Sequence, residues 1–107
     1  MRLDLRGRRV VVVGGGAVAT RRVSQLVTAQ AAIHVVAPEV TSEIADLAAT
    51  GALTLHHRSF DDRDLDEAWL AIAATSDTNV NAHVSQLASD GRVWCINSGD
   101  ADVSTAA

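Results

Sequence analysis

The feature that most constrains this chain is a run of four valines, Val10 to Val13, that ends at once in three glycines, Gly14, Gly15 and Gly16. A continuous β-branched run suits a strand covered on both faces, as in a parallel sheet. From Ala17 to about Gln30 the apolar positions Ala19, Val23, Leu26 and Val27 then recur at helical spacing, with Arg21, Arg22, Ser24 and Gln25 on the other side. Gly14-Gly15-Gly16-Ala17-Val18-Ala19 fits G-x-G-x-x-A and lies between a buried strand and an amphipathic helix, where a dinucleotide pyrophosphate needs it. In this reading Gly14 allows the sharp turn, Gly16 leaves no side chain between backbone and phosphate, and Ala19 lets the helix pack closely on its strand. The N–H groups at the helix start, at Ala17 and Val18, receive the phosphate charge. A tight strand-to-helix turn without a ligand is the competing reading, and the position of the glycines weighs against it.

The same alternation continues along the chain. Ile33 to Ala37 reads as a second strand, and Val40, Ile44, Leu47 and Ala48 as a second helix closed by Gly51. Leu53 to His56 is a short third strand. An acidic stretch, Asp61 to Glu67, leads to Trp69 to Ala74, the fourth strand, expected at the centre of the sheet and beside the first. A further helix follows, with Val80, Val84, Leu87 and Ala88 along one face, Ser76 or Asp77 as its cap and Gly91 at its end. Val93 to Ile96 is a fifth strand. Five strands interleaved with helices, without a hairpin signal, predict an α/β fold: a Rossmann-like doubly wound parallel sheet with helices on both faces.

With 107 residues, 48% hydrophobic and 21% charged, the chain suits one soluble domain, residues 1–107, below the usual size of an enzyme holding cofactor and substrate alone. It is expected to be the N-terminal part of a longer enzyme. The formal charge of -4 and the lack of a basic run or aromatic platforms argue against a nucleic-acid partner. The first apolar run is too short for a signal sequence or membrane span, and the single Cys95 cannot form an intrachain disulfide. The expected location is cytoplasmic, with no membrane partner.

The second strand ends Val36-Ala37-Pro38-Glu39. An acid here is the usual partner of the adenosine ribose hydroxyls. Pro38 and Glu39 are thus candidate cofactor contacts, although Glu39 equally suits a solvated first-turn acid. Arg21 and Arg22 sit a turn into the first helix, pointing away from the ribose, so NAD is preferred over NADP. Ala73-Ala74-Thr75-Ser76-Asp77 closes the fourth strand at its carboxyl end, where ligands of such sheets bind, and the small Ala74 and Thr75 leave room for a nicotinamide ring.

Together these segments, Gly14 to Arg22, Val36-Ala37-Pro38, Trp69 to Thr75 and Val80-Asn81, resemble the precorrin-2 dehydrogenase family, which also forms the N-terminal module of sirohaem synthases. The resemblance runs over nearly the whole chain. It implies NAD-dependent oxidation of precorrin-2 to sirohydrochlorin, a tetrapyrrole substrate, in several members iron insertion (ferrochelatase activity), and a homodimer formed through a region after the Rossmann domain. The family's catalytic Asp follows the fifth strand in a pattern like N-V-V-D-x-P. Here the segment reads Ile96-Asn97-Ser98-Gly99-Asp100, which puts Gly99 at the Asp position and Asp100 one residue later, without the Pro. Asp100 is the expected catalytic carboxylate. The departure keeps open a non-catalytic NAD(H)-sensing domain or a degenerate one, which would need no carboxylate there.

Other polar residues carry less. His56 and His57 are strand neighbours pointing to opposite faces and are expected at a surface or edge rather than on a metal. His83, between Val80 and Val84, is expected to be partly buried, Cys95 to be a small core residue, and Asp61 to Glu67 to be a solvated connection. No metal ligands are assigned.

Overall fold

The computed structural model describes residues 6–98. Five parallel strands form one sheet: β1 (Arg9–Val13), β2 (Ala32–Val36), β3 (Thr54–His56), β4 (Leu70–Ala73) and β5 (Trp94–Asn97). Their order is β3-β2-β1-β4-β5. Three helices connect them: α1 (Ala17–Thr28), α2 (Ser42–Ala49) and α3 (Thr78–Asp90). The central strand is therefore β1, not β4. β4 does lie beside β1, with Val13 opposite Ala73, but β2 and β3 add on one side of β1 and β4 and β5 on the other, which leaves β1 in the middle. No helix among the described residues is long and apolar enough to cross a membrane.

Period-two alternation along the strands builds two cores. Val10 and Val12 of β1 face α1 and α2, packing with Ala19, Val23, Leu26, Ile33, Val35 and Ile44. Val11 and Val13 face the other way and meet Val84 and Ala88 of α3. All four valines are at most 2% exposed, as a doubly covered strand requires.

The acidic stretch is more structured than a plain connection. Asp61 caps a single 3-10 turn, Asp62–Leu65, through a reciprocal capping box with Asp64, and Leu65 is buried against the α3 face. Asp64 also receives both guanidinium nitrogens of Arg58, which holds its carboxyl below the usual carboxylate range.

The helix ends use different stop signals. Gly51 takes the left-handed conformation (φ 86°), as a terminating glycine does. At the end of α3, however, Gly91 has φ -93° and Arg92 takes the left-handed turn (φ 58°). α1 stops at Thr28, short of Gln30, which is itself left-handed (φ 62°).

Between β1, β2 and β3, on the face that α3 leaves open, lies a polar stack the sequence did not announce. Arg9 Nη1 is 3.1 Å from His34 Nε2, and His34 Nδ1 is 3.2 Å from His56 Nε2. The two imidazoles stack with centroids 5.4 Å apart. An arginine can only donate, so His34 Nε2 accepts and Nδ1 carries the proton toward His56. Burial, Arg9 and His56 together lower the pKa of His34. His56 is thus a stacked, half-buried residue on the edge strand β3, and its neighbour His57 is exposed, in keeping with the surface or edge placement expected of the pair.

Candidate functional site

The three glycines do three different jobs. Gly14 has φ 130°, a conformation that disfavours side chains, and a Cβ there would strike the Ala74 carbonyl and come within 2.7 Å of its carbon. Its N–H donates to Val36 O at 3.0 Å, tying the turn to β2. Gly15 is buried under the segment that follows β2: a Cβ would collide with Glu39 O and lie 2.7 Å from Val40 Cγ1 and 2.9 Å from Val40 Cα. The Gly15 carbonyl accepts from Thr41 N at 2.9 Å. Gly16 is exposed, and a Cβ there would meet nothing within 4 Å. The middle position of the motif, silent in the pattern, is the one that lets the β2–α2 segment approach.

That packing leaves the start of α1 bare on its outer side. Its N-cap is Gly16, with no side-chain cap and no acid in the first turn. The first intrahelical bond is Thr20 N to Gly16 O at 2.9 Å, so the N–H groups of Ala17, Val18 and Ala19 precede any helical acceptor. The other two helices are capped by their own chain: Thr41 accepts from Ile44 N, and Asp77 accepts from Asn79 N and Val80 N. Thr20 adds rigidity beneath the turn, with its hydroxyl 2.8 Å from Gly16 O and 2.7 Å from Thr41 Oγ1.

The bare end opens on a cleft of about 1010 Å³ at the carboxyl edge of the sheet. Gly14, Gly16, Ala17, Val18, Pro38, Glu39, Ala74 and Thr75 all line it, so the candidate cofactor contacts spread over three segments converge on one space. Thr75 is held rather than loose. Asn81, 2% exposed, accepts from Thr75 N at 3.1 Å, lies 2.7 Å from Thr75 Oγ1, and donates to Thr75 O at 3.0 Å. Asp77 has the capping duty expected of it, and Ser76 does not share it.

A dinucleotide fits this arrangement. A pyrophosphate finds unpartnered N–H groups, the positive end of a helix and no side chain at Gly16. The cleft is lined by Glu39, Asp62 and Asp77 and by no arginine among the described residues, which favours ribose hydroxyls over a 2′-phosphate. Arg21 and Arg22 face a second hollow with Ile96, Asn97 and Ser98, and Arg22 Nε donates to Ser98 Oγ at 3.1 Å.

Two assignments differ from expectation or fall beyond view. His83 is exposed rather than partly buried: it looks outward to Asp62, its Nε2 2.7 Å from Asp62 Oδ1, because the core face of α3 is taken by Asn81, Val84 and Ala88. Both residues line the cleft. Asp100 lies outside the described residues, the last of which, Ser98, donates its N–H to Ala73 O at 2.8 Å. Cys95 is partly buried beside Ser85, whose hydroxyl is 3.6 Å from its sulfur.

Comparison with known proteins agrees with this geometry. Residues 1–106 match the family described as "Putative NAD(P)-binding". A precorrin-2 dehydrogenase of Priestia megaterium is 44% identical over 84 residues, which are 78% of this chain and 42% of that protein. A siroheme synthase of Thioalkalivibrio sulfidiphilus is 45% identical over 88 residues, 82% of this chain and 18% of its own length. The solved structure of SirC, a precorrin-2 dehydrogenase, superposes with a TM-score of 0.76 at 42% identity, covering 79% of this chain and 43% of that one. The chain thus spans less than half the length of these relatives.

Proposed function

The chain belongs to the NAD(P)-binding family whose profile it matches, and from that premise we propose that it is the cofactor domain of an NAD-dependent precorrin-2 dehydrogenase, an oxidoreductase of sirohaem and tetrapyrrole biosynthesis. The observation that carries this reading is the uncapped start of α1 at Gly16, opening on a cleft of about 1010 Å³. Its kinship with precorrin-2 dehydrogenase and siroheme synthase supplies the substrate.

In this reading the unpartnered backbone N–H groups at the start of α1, at Ala17 and Val18, hold the pyrophosphate above the Gly14 turn, and Glu39 accepts from the adenosine ribose hydroxyls at the end of β2. Ala74 leaves space for the nicotinamide ring, while Asn81 fixes Thr75 at its border. NAD supplies a two-electron acceptor for hydride from precorrin-2. Asp100, which follows β5 in the sequence, accepts the proton lost from the same substrate, so one hydride and one proton leave to give sirohydrochlorin. The intact protein is a cytoplasmic homodimer whose remaining residues complete the tetrapyrrole site and, in chelating members, handle iron as substrate.

The test is calorimetric titration of NAD into the wild type and Gly16→Leu. A Cβ at Gly16 meets nothing within 4 Å and the position is exposed, so Gly16→Leu should fold while its side chain obstructs the pyrophosphate. Loss of NAD binding with an unchanged circular dichroism spectrum is expected. Unchanged affinity would overturn the reading.

A further inference from the structure

The cleft carries one polar cluster that hydride transfer does not use: Phe60 and Asp62, between β3 and β4, against His83 of α3. His83 Nε2 is 2.7 Å from Asp62 Oδ1, and the Phe60 ring stands edge-on to the imidazole at 6.3 Å. Asp62 Oδ2 has no hydrogen-bond partner among the described residues. One oxygen is therefore fixed by the histidine while the other remains available to a ligand, beside an aromatic wall.

The fold says which half of a dinucleotide would meet this cluster. α3 has two flanks: Ser85 approaches Cys95 and Asn97 on β5, whereas His83 approaches Asp62, in the chain that follows β3. The cluster thus lies away from β5, on the same side of the cleft as Glu39, which follows β2. With the pyrophosphate at the start of α1 and the adenosine ribose at Glu39, the base attached to that ribose comes next to Phe60 and Asp62.

We propose that Asp62 is a specificity-determining residue that reads the exocyclic amine of adenine, with His83 as the positioning residue that aims it and Phe60 as the apolar surface the purine lies against. The proposal rests on the cofactor reading above. A carboxylate only accepts, so it welcomes the N6 amine of adenine and repels the O6 carbonyl of hypoxanthine, which also only accepts. A site built around a donor on its ligand penalises the analogue that lacks it.

The experiment compares NAD, nicotinamide hypoxanthine dinucleotide and nicotinamide mononucleotide by calorimetry on the full chain. Wild type should bind NAD about tenfold more tightly than the hypoxanthine analogue, a difference of about 1.4 kcal/mol. Asp62→Asn, whose amide can donate or accept, should bring the two within about twofold. His83→Ala should shrink the ratio and His83→Gln, which keeps a donor, should restore it, while the mononucleotide, lacking adenosine, binds all variants alike. Discrimination that survives in Asp62→Asn, or a wild type that binds both dinucleotides equally, overturns the assignment while leaving NAD binding intact. A wild type that binds neither dinucleotide overturns the cofactor reading and this assignment together.

Discussion

Replacing each glycine of the triplet by alanine should separate folding from binding within three adjacent positions. At Gly15 the new Cβ would collide with Glu39 O and lie 2.7 Å from Val40 Cγ1 and 2.9 Å from Val40 Cα. Two of these obstacles are backbone atoms, held by the Thr41 N to Gly15 O bond at 2.9 Å, so the β2–α2 segment must move. Overpacking of this kind costs about 1–3 kcal/mol. At Gly16 the same methyl meets nothing within 4 Å and φ is -90°, which an alanine adopts freely. There the substitution should be neutral or stabilise by about 0.4–1 kcal/mol, through the lower entropy of the unfolded chain. The two variants should therefore differ by about 1–4 kcal/mol, at about 4–8 °C per kcal/mol for a domain of this size. Urea unfolding followed by far-ultraviolet circular dichroism measures the gap. A Gly15→Ala protein as stable as Gly16→Ala would refute the claim that Gly15 is required by packing.

Asn81→Ala should destabilise the fold by about 1–3 kcal/mol, because the half-buried Thr75 N–H and carbonyl lose their partner; unchanged urea midpoints would count against it. The lowered pKa of His34 means that folding favours its neutral form, so the unfolded chain binds more protons as pH falls below the usual value of 6.5. Stability from this group is complete above that pH and is lost as pH falls toward the folded pKa; His34→Gln should flatten the urea midpoint between about pH 7 and 5, and an unaltered slope would remove His34 as the cause. Asp100→Asn in the intact protein should lower turnover about a hundredfold or more with NAD affinity nearly unchanged, and near-normal turnover would show that Asp100 is not the base.

The parts legible in the sequence were those with a local cause. Four β-branched residues, a glycine turn and an apolar stripe at helical spacing are contiguous, and they give β1, α1 and the phosphate-facing turn. Gly15 was invisible as a packing residue because its partners, Glu39 and Val40, come from the segment after β2. Strand order was also beyond local reading: β1 is central because β2 and β3 add on one side of it and β4 and β5 on the other, which no local pattern shows. The Arg9–His34–His56 stack needs strand register before its members can be seen to share a face. Asp62 and His83 are separated by 21 residues and by β4, and nothing in the spacing of either announces the other. Helical periodicity placed His83 near a core face, but the adjacent Asn81 and Val84 had already filled it.

β5 has a consequence for how this chain behaves in solution. α3 covers one side of the strand, at Cys95, but on the other side Trp94 and Ile96 remain 64% and 37% exposed. Its outer ladder of N–H and C=O groups pairs with no strand among the described residues. An exposed indole and isoleucine side by side favour contact between copies, and like charge on the molecules is what keeps copies apart. Here that charge is a formal -4 at pH 7 and vanishes near the sequence pI of 5.4. Mild acid thus removes the colloidal repulsion over the same range in which His34 withdraws its support from the fold, so the chain is least soluble where it is also losing stability.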